Sequence, residues 1–98
     1  MLIRIVKMHF KPEEKDNFLA MFDKVKDKIR NVEGCDYLEL MVDYNDPNSF
    51  STYSKWHDEK YLNAYRESDL FAGVWTQTKA MFSQKPIAFS LKTHTKIE

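Results

Sequence analysis

The chain contains few of the residues that build disulfide frameworks, metal sites or phosphate loops. Its 98 residues include one cysteine, two glycines and three prolines. A single cysteine excludes an internal disulfide and a multi-thiolate metal site, and it is typical of a reducing compartment. Glycine-rich phosphate loops, HExxH and Ser-His-Asp signatures are also missing from the sequence. We therefore predict neither a metal site nor a bound cofactor.

Net charge is lacking as well. Fifteen basic and fifteen acidic side chains balance to a formal charge of zero, whereas a phosphate-binding surface needs an excess of Lys and Arg, so we predict no nucleic-acid partner. The longest unbroken apolar run, residues 18–22, is far too short to span a bilayer. Residues 1–4 enter a strand-like pattern and lack the layout of a signal peptide. These features predict no membrane partner and a cytoplasmic location.

The residues that are present predict one globular domain over residues 1–98, because 43% of them are hydrophobic and 31% charged. Alternating apolar residues predict four strands, over residues 2–10, 35–44, 50–56 and 87–94. Both sides of the strands carry apolar groups. On the second strand, the alternation places Cys35 beside Tyr37 and Met41, on the side opposite Leu38.

Helical spacing predicts a long amphipathic helix that begins near Pro12 and ends before Gly34, and two short helices before the last strand. Ser68 and Asp69 are expected to cap the second short helix. The resulting order, β-α-β-β-(αα)-β, predicts an α+β, ferredoxin-like split β-α-β fold: a four-stranded antiparallel sheet with helices on one face. Because the other face is also apolar, we expect a second copy to cover it, giving a homodimer.

Four short segments carry a family resemblance. They are E-G-C at residues 33–35, N-D-P-N at 45–48, Y-S-K-W at 53–56 and S-D-L-F at 68–71. Together they resemble the pattern of antibiotic biosynthesis monooxygenase (ABM) domains, in the dimeric α+β barrel superfamily, over nearly the whole chain. Proteins that share this pattern use one scaffold for different reactions. Some oxidise quinols or aromatic polyketides with dioxygen and no cofactor, some degrade haem, and some isomerise small metabolites.

The resemblance implies that the chain binds a small, flat, largely apolar molecule and, if it is an enzyme, that it is a cofactor-independent monooxygenase acting on a phenol or quinol. Aromatic side chains could hold a flat ligand by stacking, and a histidine could take its proton near neutral pH. The alternative for each aromatic residue is ordinary core packing, and for each histidine a surface position. The candidate catalytic residues are His9 and Tyr65, and the candidate ligand-pocket residues are Val6, Trp56, Tyr65, Phe71 and Trp75.

The chain departs from better-known relatives at positions that the resemblance marks as functional. The haem-degrading branch has an Asn, a Trp and a haem-ligating His approximately where this chain has Val6, Tyr65 and Trp75, so we predict no haem degradation by that mechanism. Cofactor-free relatives carry an acid before the third-strand Trp and a His in the next helix, where this chain has Lys55 and Ala64–Tyr65. These departures favour the alternative of a non-catalytic module for ligand binding or sensing.

Other reactive side chains leave alternatives open. His9 and His94 could approach each other on neighbouring strands, which would bring two imidazoles together. Arg4 and Lys7 could bind an anionic group of a substrate, although structural ion pairs are the commoner role of such residues. Cys35 has no partner in the sequence and is expected to be a buried small hydrophobe.

Overall fold

The architecture is a four-stranded sheet with helices on one face. A computed structural model describes residues 1–98. Its elements are β1 (Leu2–His9), a 3₁₀ turn (Pro12–Glu14), α1 (Lys15–Arg30), β2 (Cys35–Val42), β3 (Ser49–Trp56), α2 (Glu59–Arg66), α3 (Asp69–Lys79) and β4 (Ile87–Leu91). The strands pair antiparallel in the order β2-β3-β1-β4. This arrangement confirms the predicted α+β, ferredoxin-like class.

Strand β1 lies inside the sheet and sorts its residues onto two faces. It pairs along its whole length with β3, and its middle pairs with β4. Met8, at 3% exposure, is buried toward the helices, as is Phe10 just beyond the strand. Because neighbouring strand residues point to opposite faces, Ile3, Ile5 and Lys7 point to the other side of the sheet. We call that second side the outer face.

Two hydrophobic clusters fill the space between sheet and helices. The first contains five buried residues, Met8, Phe10, Phe18, Met21 and Phe50. The second joins Cys35, Trp56 and Leu62. None of the helices combines the length and apolar character that crossing a bilayer requires.

The predicted placement of Cys35 is wrong, and a bulge explains the error. Cys35 pairs with Trp56 while Tyr37 pairs with Lys55, so one extra residue, Asp36, sits between two successive pairs. Such an insertion reverses the alternation of faces. Cys35 therefore points toward the helices and is 5% exposed. Its predicted character as a buried hydrophobe is confirmed.

His9 and His94, for which an approach on neighbouring strands was left open, lie at different ends of the sheet. In the antiparallel register, Lys7 is opposite Ile87 and Ile3 is opposite Leu91. The chain after Leu91 therefore extends beyond the beginning of β1, away from His9. Strand β4 also ends three residues before His94, so the predicted last strand is too long.

Gly34 occupies the tight turn between α1 and β2 and supplies the first testable prediction. Its φ is 84°, and a Cβ at this position would overlap the ring of Tyr61. Both the left-handed backbone and the overlap oppose any side chain. We expect Gly34→Ala to lower the free energy of unfolding by about 1–3 kcal/mol in urea denaturation.

Gly73 is the matched control, because it lies within α3 and a Cβ there meets nothing within 4 Å. Alanine is the better helix former, so Gly73→Ala is expected to raise the free energy of unfolding by up to about 1 kcal/mol. Equal effects of the two substitutions would show that the turn at Gly34 does not constrain the fold.

Candidate functional site

A cavity of about 300 Å³ lies between the sheet and the three helices. Residues of all four strands, most of them from β1 and β3, form its floor, and α1, α2 and α3 supply the walls. Fourteen of its nineteen lining residues are hydrophobic, so the site is fitted to an apolar ligand body. The volume is at the lower end of the roughly 300–1,000 Å³ that is usual for ligand pockets, which favours a small ligand.

The predicted pocket residues are brought together along this cavity. Val6, Trp56, Tyr65, Phe71 and Trp75 all line it. The aromatic rings form a continuous row: Trp56 stacks on Tyr65 at 5.4 Å between centroids, Tyr65 meets Phe71 edge-on at 5.2 Å, and Phe71 stacks on Trp75 at 5.8 Å. The row presents flat surfaces and ring edges to the cavity.

One serine fixes the relation between two of these rings. Ser68 caps α3, as predicted: its hydroxyl accepts a hydrogen bond from the Phe71 N–H at 3.2 Å. The same hydroxyl donates to the carbonyl oxygen of Tyr65, near the end of α2, at 2.6 Å. The Ser68 hydroxyl therefore links the end of α2 to the start of α3 through the backbone groups of Tyr65 and Phe71.

Hydroxyl groups are the main neutral polar groups of the lining, and two of the four are already hydrogen-bonded. Ser54 Oγ accepts a hydrogen bond from the Trp56 indole at 3.0 Å, and Thr78 Oγ1 donates to the Val74 carbonyl at 2.7 Å. Desolvation by burial raises the pKa of Tyr65 to about 12. Tyr65 therefore keeps its proton at physiological pH, where it can donate a hydrogen bond but cannot serve as a general base.

His9, the other candidate catalytic residue, does not line the cavity. It ends β1 one position after Met8, so the alternation of the strand directs it to the outer face. Its carbonyl oxygen accepts hydrogen bonds from the Ser83 N–H and hydroxyl. Histidine, aspartate and glutamate are all missing from the lining, so the cavity holds no group that titrates near neutral pH.

Two arginines form the charged part of the lining, Arg4 from β1 and Arg66 from the last turn of α2. Arg4 Nη1 donates to Ser90 Oγ at 3.0 Å. The ion pairs of the chain are Lys26–Asp23 and His57–Asp36, so the structural ion pair offered as the alternative for Arg4 does not form. We refer to Arg4 and Arg66 as the arginine pair.

Sequence reasoning missed Arg66 and most of the contribution of α1. A signal for Arg4 was present, because it is the one charged residue on the otherwise apolar helix-facing side of β1. The α1 contribution carried no such signal, because any amphipathic helix shows the same periodicity whether it lines a cavity or fills a core. The lining residues from α1 are Phe18, Met21, Phe22 and Ile29.

The side chains of the cavity do not fit haem ligation through histidine or thiolate. No imidazole lines it, and Cys35 is absent from the lining. Trp75, at the position where the haem-degrading branch has its ligand, carries an indole that cannot take that role.

An antiparallel split β-α-β sheet with helices on one face and a cavity beneath them defines a class of small α+β domains. The sequence profile of the antibiotic biosynthesis monooxygenase family matches residues 1–74. The chain belongs to this family.

Solved structures share the fold. A crystal structure described as an antibiotic biosynthesis monooxygenase superimposes with a TM-score of 0.90 and 24% identity, covering 97% of this chain and 100% of that one. A conserved protein from Methanosarcina mazei Go1 gives a TM-score of 0.87 at 20% identity, covering 94% and 92% of the two chains. At these identities the likeness extends to the fold alone.

A curated relative is a provisionally named haem-binding protein of Natronomonas pharaonis. It is 26% identical over 76 residues, which are 78% of this chain. The matched part is only 13% of that protein's length.

Proposed function

We propose that this chain binds a small, flat, largely apolar molecule in the cavity and oxidises it with dioxygen without a cofactor, the substrate being a phenol or quinol. The observation that carries the proposal is the row of aromatic rings along a 300 Å³ apolar cavity. Such a row can offer ring faces and ring edges to a planar ligand and restrict its orientation. Membership of the antibiotic biosynthesis monooxygenase family supports the reaction class.

The chemistry requires an electron-rich anion of the substrate. A phenol reacting with one dioxygen gives a quinone and one water, so the reaction balances without an external reductant. Because the cavity holds no carboxylate or imidazole, the substrate proton passes to water, and hydrogen-bond donors that stabilise the anion favour this transfer. Tyr65 is placed to donate to the substrate oxygen, since its raised pKa keeps it protonated.

The missing base also supports a second candidate, a non-catalytic module that binds or senses the same ligand. Such a module needs the aromatic row and the apolar cavity but no proton transfer. The two candidates differ in one measurable property: both predict that a ligand raises the melting temperature, and only the first predicts dioxygen uptake.

The test combines ligand screening with dioxygen measurements. Small phenols and quinols are screened for thermal stabilisation, and those that stabilise are tested for uptake with a dioxygen electrode. We expect Tyr65→Phe to lower the turnover rate by about 100-fold, because it removes one hydrogen-bond donor from the developing anion. Trp75→Phe should also slow turnover, because it removes ring surface from the cavity wall.

Tyr44→Phe is the matched control, since Tyr44 is 99% exposed in the turn before β3. It should leave binding and turnover unchanged. Uptake that persists unaltered in Tyr65→Phe would remove this residue from the reaction. Thermal stabilisation without any uptake would favour the binding module.

We also propose that the outer face contacts a second copy of the chain, as in a dimeric α+β barrel. The apolar residues of this face are half-buried to exposed and come from all four strands: Ile3, Ile5, Tyr37, Met41, Tyr53, Ile87, Phe89 and Leu91. Lys7, Lys55 and Glu39 lie on the same face, so a twofold arrangement can bring charges of opposite sign together.

The solvent-exposed area of the single chain supports burial of the outer face by a second copy. The single chain exposes 6840 Å², whereas a folded monomer of its mass exposes roughly 5,900 Å². The excess of roughly 900 Å² is close to the share that one partner contributes to a standard interface. A cytoplasmic location stays a prediction from the sequence.

A further inference from the structure

The arginine pair is the feature of the cavity that the proposed function leaves unexplained. An apolar molecule needs no cation, yet two guanidinium groups line a cavity whose other walls are mainly hydrophobic. Arginine cannot lose its charge in a protein, so each guanidinium needs an anion or water; Arg4 is half-buried and Arg66 exposed, so water reaches them where no anion is bound. The chain keeps two of them in one cavity.

No anion of the chain compensates the pair. The lining contains no Asp or Glu, and neither arginine lies within 4 Å of a carboxylate. Arg4 makes one side-chain hydrogen bond, to Ser90 Oγ, out of the five N–H donors that a guanidinium offers. Burial, and after it repulsion by Arg66, lowers the pKa of Arg4. The donors of the pair are therefore available to an anion that enters the cavity.

Arg4 is held in place while its remaining donors stay free. It lies between Ser54 of β3 and Ser90 of β4 in the strand register, and both neighbours are small. Arg66 lines the same cavity from the end of α2, directly after Tyr65. Because Arg66 follows Tyr65 in the sequence, an anionic group bound by the arginine pair would lie next to the aromatic row.

From this geometry we infer that the natural ligand is a small aromatic carboxylic acid, with its rings against the aromatic row and its carboxylate on the arginine pair. The planar fork of arginine matches the two oxygens of a carboxylate. A volume of 300 Å³ corresponds to about ten water molecules at bulk density, which suits a body of one or two rings. This inference rests on the proposed function and names the substrate class for the same cavity.

The experiment compares an acid with its neutral isostere on the full chain. Binding of 2-naphthoate and 2-naphthamide is measured by calorimetry and by quenching of the tryptophan fluorescence, because Trp56 and Trp75 line the cavity. We expect 2-naphthoate to bind about 10–100-fold more tightly than the amide, since charged hydrogen bonds replace neutral ones. Inorganic phosphate at the same ionic strength should not compete, because it lacks the ring.

Variants then locate the source of the discrimination. Arg4→Met should remove the preference for the acid while leaving 2-naphthamide binding in place. Arg66→Met should reduce the preference for the acid. Arg66 is exposed, so this substitution does not put folding at risk. Lys7→Met is the matched control: it removes a cation from the same strand but on the outer face, and it should leave the preference intact.

The outcomes separate the inference from the proposed function. Equal binding of acid and amide, or a preference that survives both arginine substitutions, would overturn the carboxylate assignment while the apolar cavity stands. Binding of neither compound would overturn the cavity itself, and the inference with it. A preference for 2-naphthoate that is lost in the arginine variants but kept in Lys7→Met supports both the carboxylate assignment and the cavity.

Discussion

Replacement of Phe10 by Ala is expected to lower the free energy of unfolding by about 3–5 kcal/mol. Phe10 is 2% exposed and lies at the centre of the first core cluster. Its ring stacks on Phe18 at 4.1 Å between centroids and also contacts Phe82 at 5.4 Å and Phe50 at 6.1 Å. Removing it leaves a void that the three neighbouring rings cannot fill without leaving their own positions.

Urea denaturation at fixed protein concentration measures this loss, because the stability of an oligomer depends on concentration. Ile97→Ala is the control, since Ile97 is an apolar residue that is 91% exposed near the end of the chain. Its substitution should leave the transition in place. A loss below about 1 kcal/mol for Phe10→Ala would show that the cluster is loosely packed.

The second large effect is expected at the outer face, where Ile5→Glu should convert a dimer into monomers. Ile5 lies on β1 within the sheet, opposite Tyr53 on one side and Phe89 on the other. A twofold interface would bury one unpaired carboxylate from each copy. At about 3 kcal/mol for each charge, the dissociation constant should rise by at least about 10⁴-fold.

Sedimentation of the wild type and the variant at micromolar concentration tests this expectation, and circular dichroism confirms that the variant folds. Val42→Glu is the matched control, because Val42 is 55% exposed on β2 but its pairing partner is the helix-facing residue Phe50. It should sediment as the wild type does. A monomeric wild type, or an Ile5→Glu variant that remains dimeric, would overturn the proposed interface.

Most of the fold could be predicted from the sequence because its signals are local. Each of these signals depends only on residues nearby in the sequence. Examples are the period-two alternation of the strands, Pro12 at the start of the first helical turn and Ser68 at the cap of α3. The order of these elements predicted the topology, and the family resemblance added the cavity. The errors came where pairing between strands decides the outcome: the bulge at Asp36 and the early end of β4 depend on register, which a single strand does not encode.

The site could be predicted only in part, for a related reason. Aromatic residues in α2, α3 and β3 were identified because the resemblance marks those positions, and the structure brings them together. Arg66 was not identified, because an arginine in the last turn of a helix is commonly explained by the helix dipole. Whether a cation faces solvent or a cavity depends on the packing of α2 over the sheet, which helical periodicity leaves undetermined.

The two faces of β1 give this small domain a division of labour. Arg4, Val6 and Met8 look into the cavity, while Ile3, Ile5 and Lys7 look outward. The proposed ligand preference and the proposed self-association therefore depend on alternate residues of one eight-residue strand. A point substitution in this strand can change one of these properties and leave the other, whereas an insertion or deletion would reverse the alternation of faces and disrupt both.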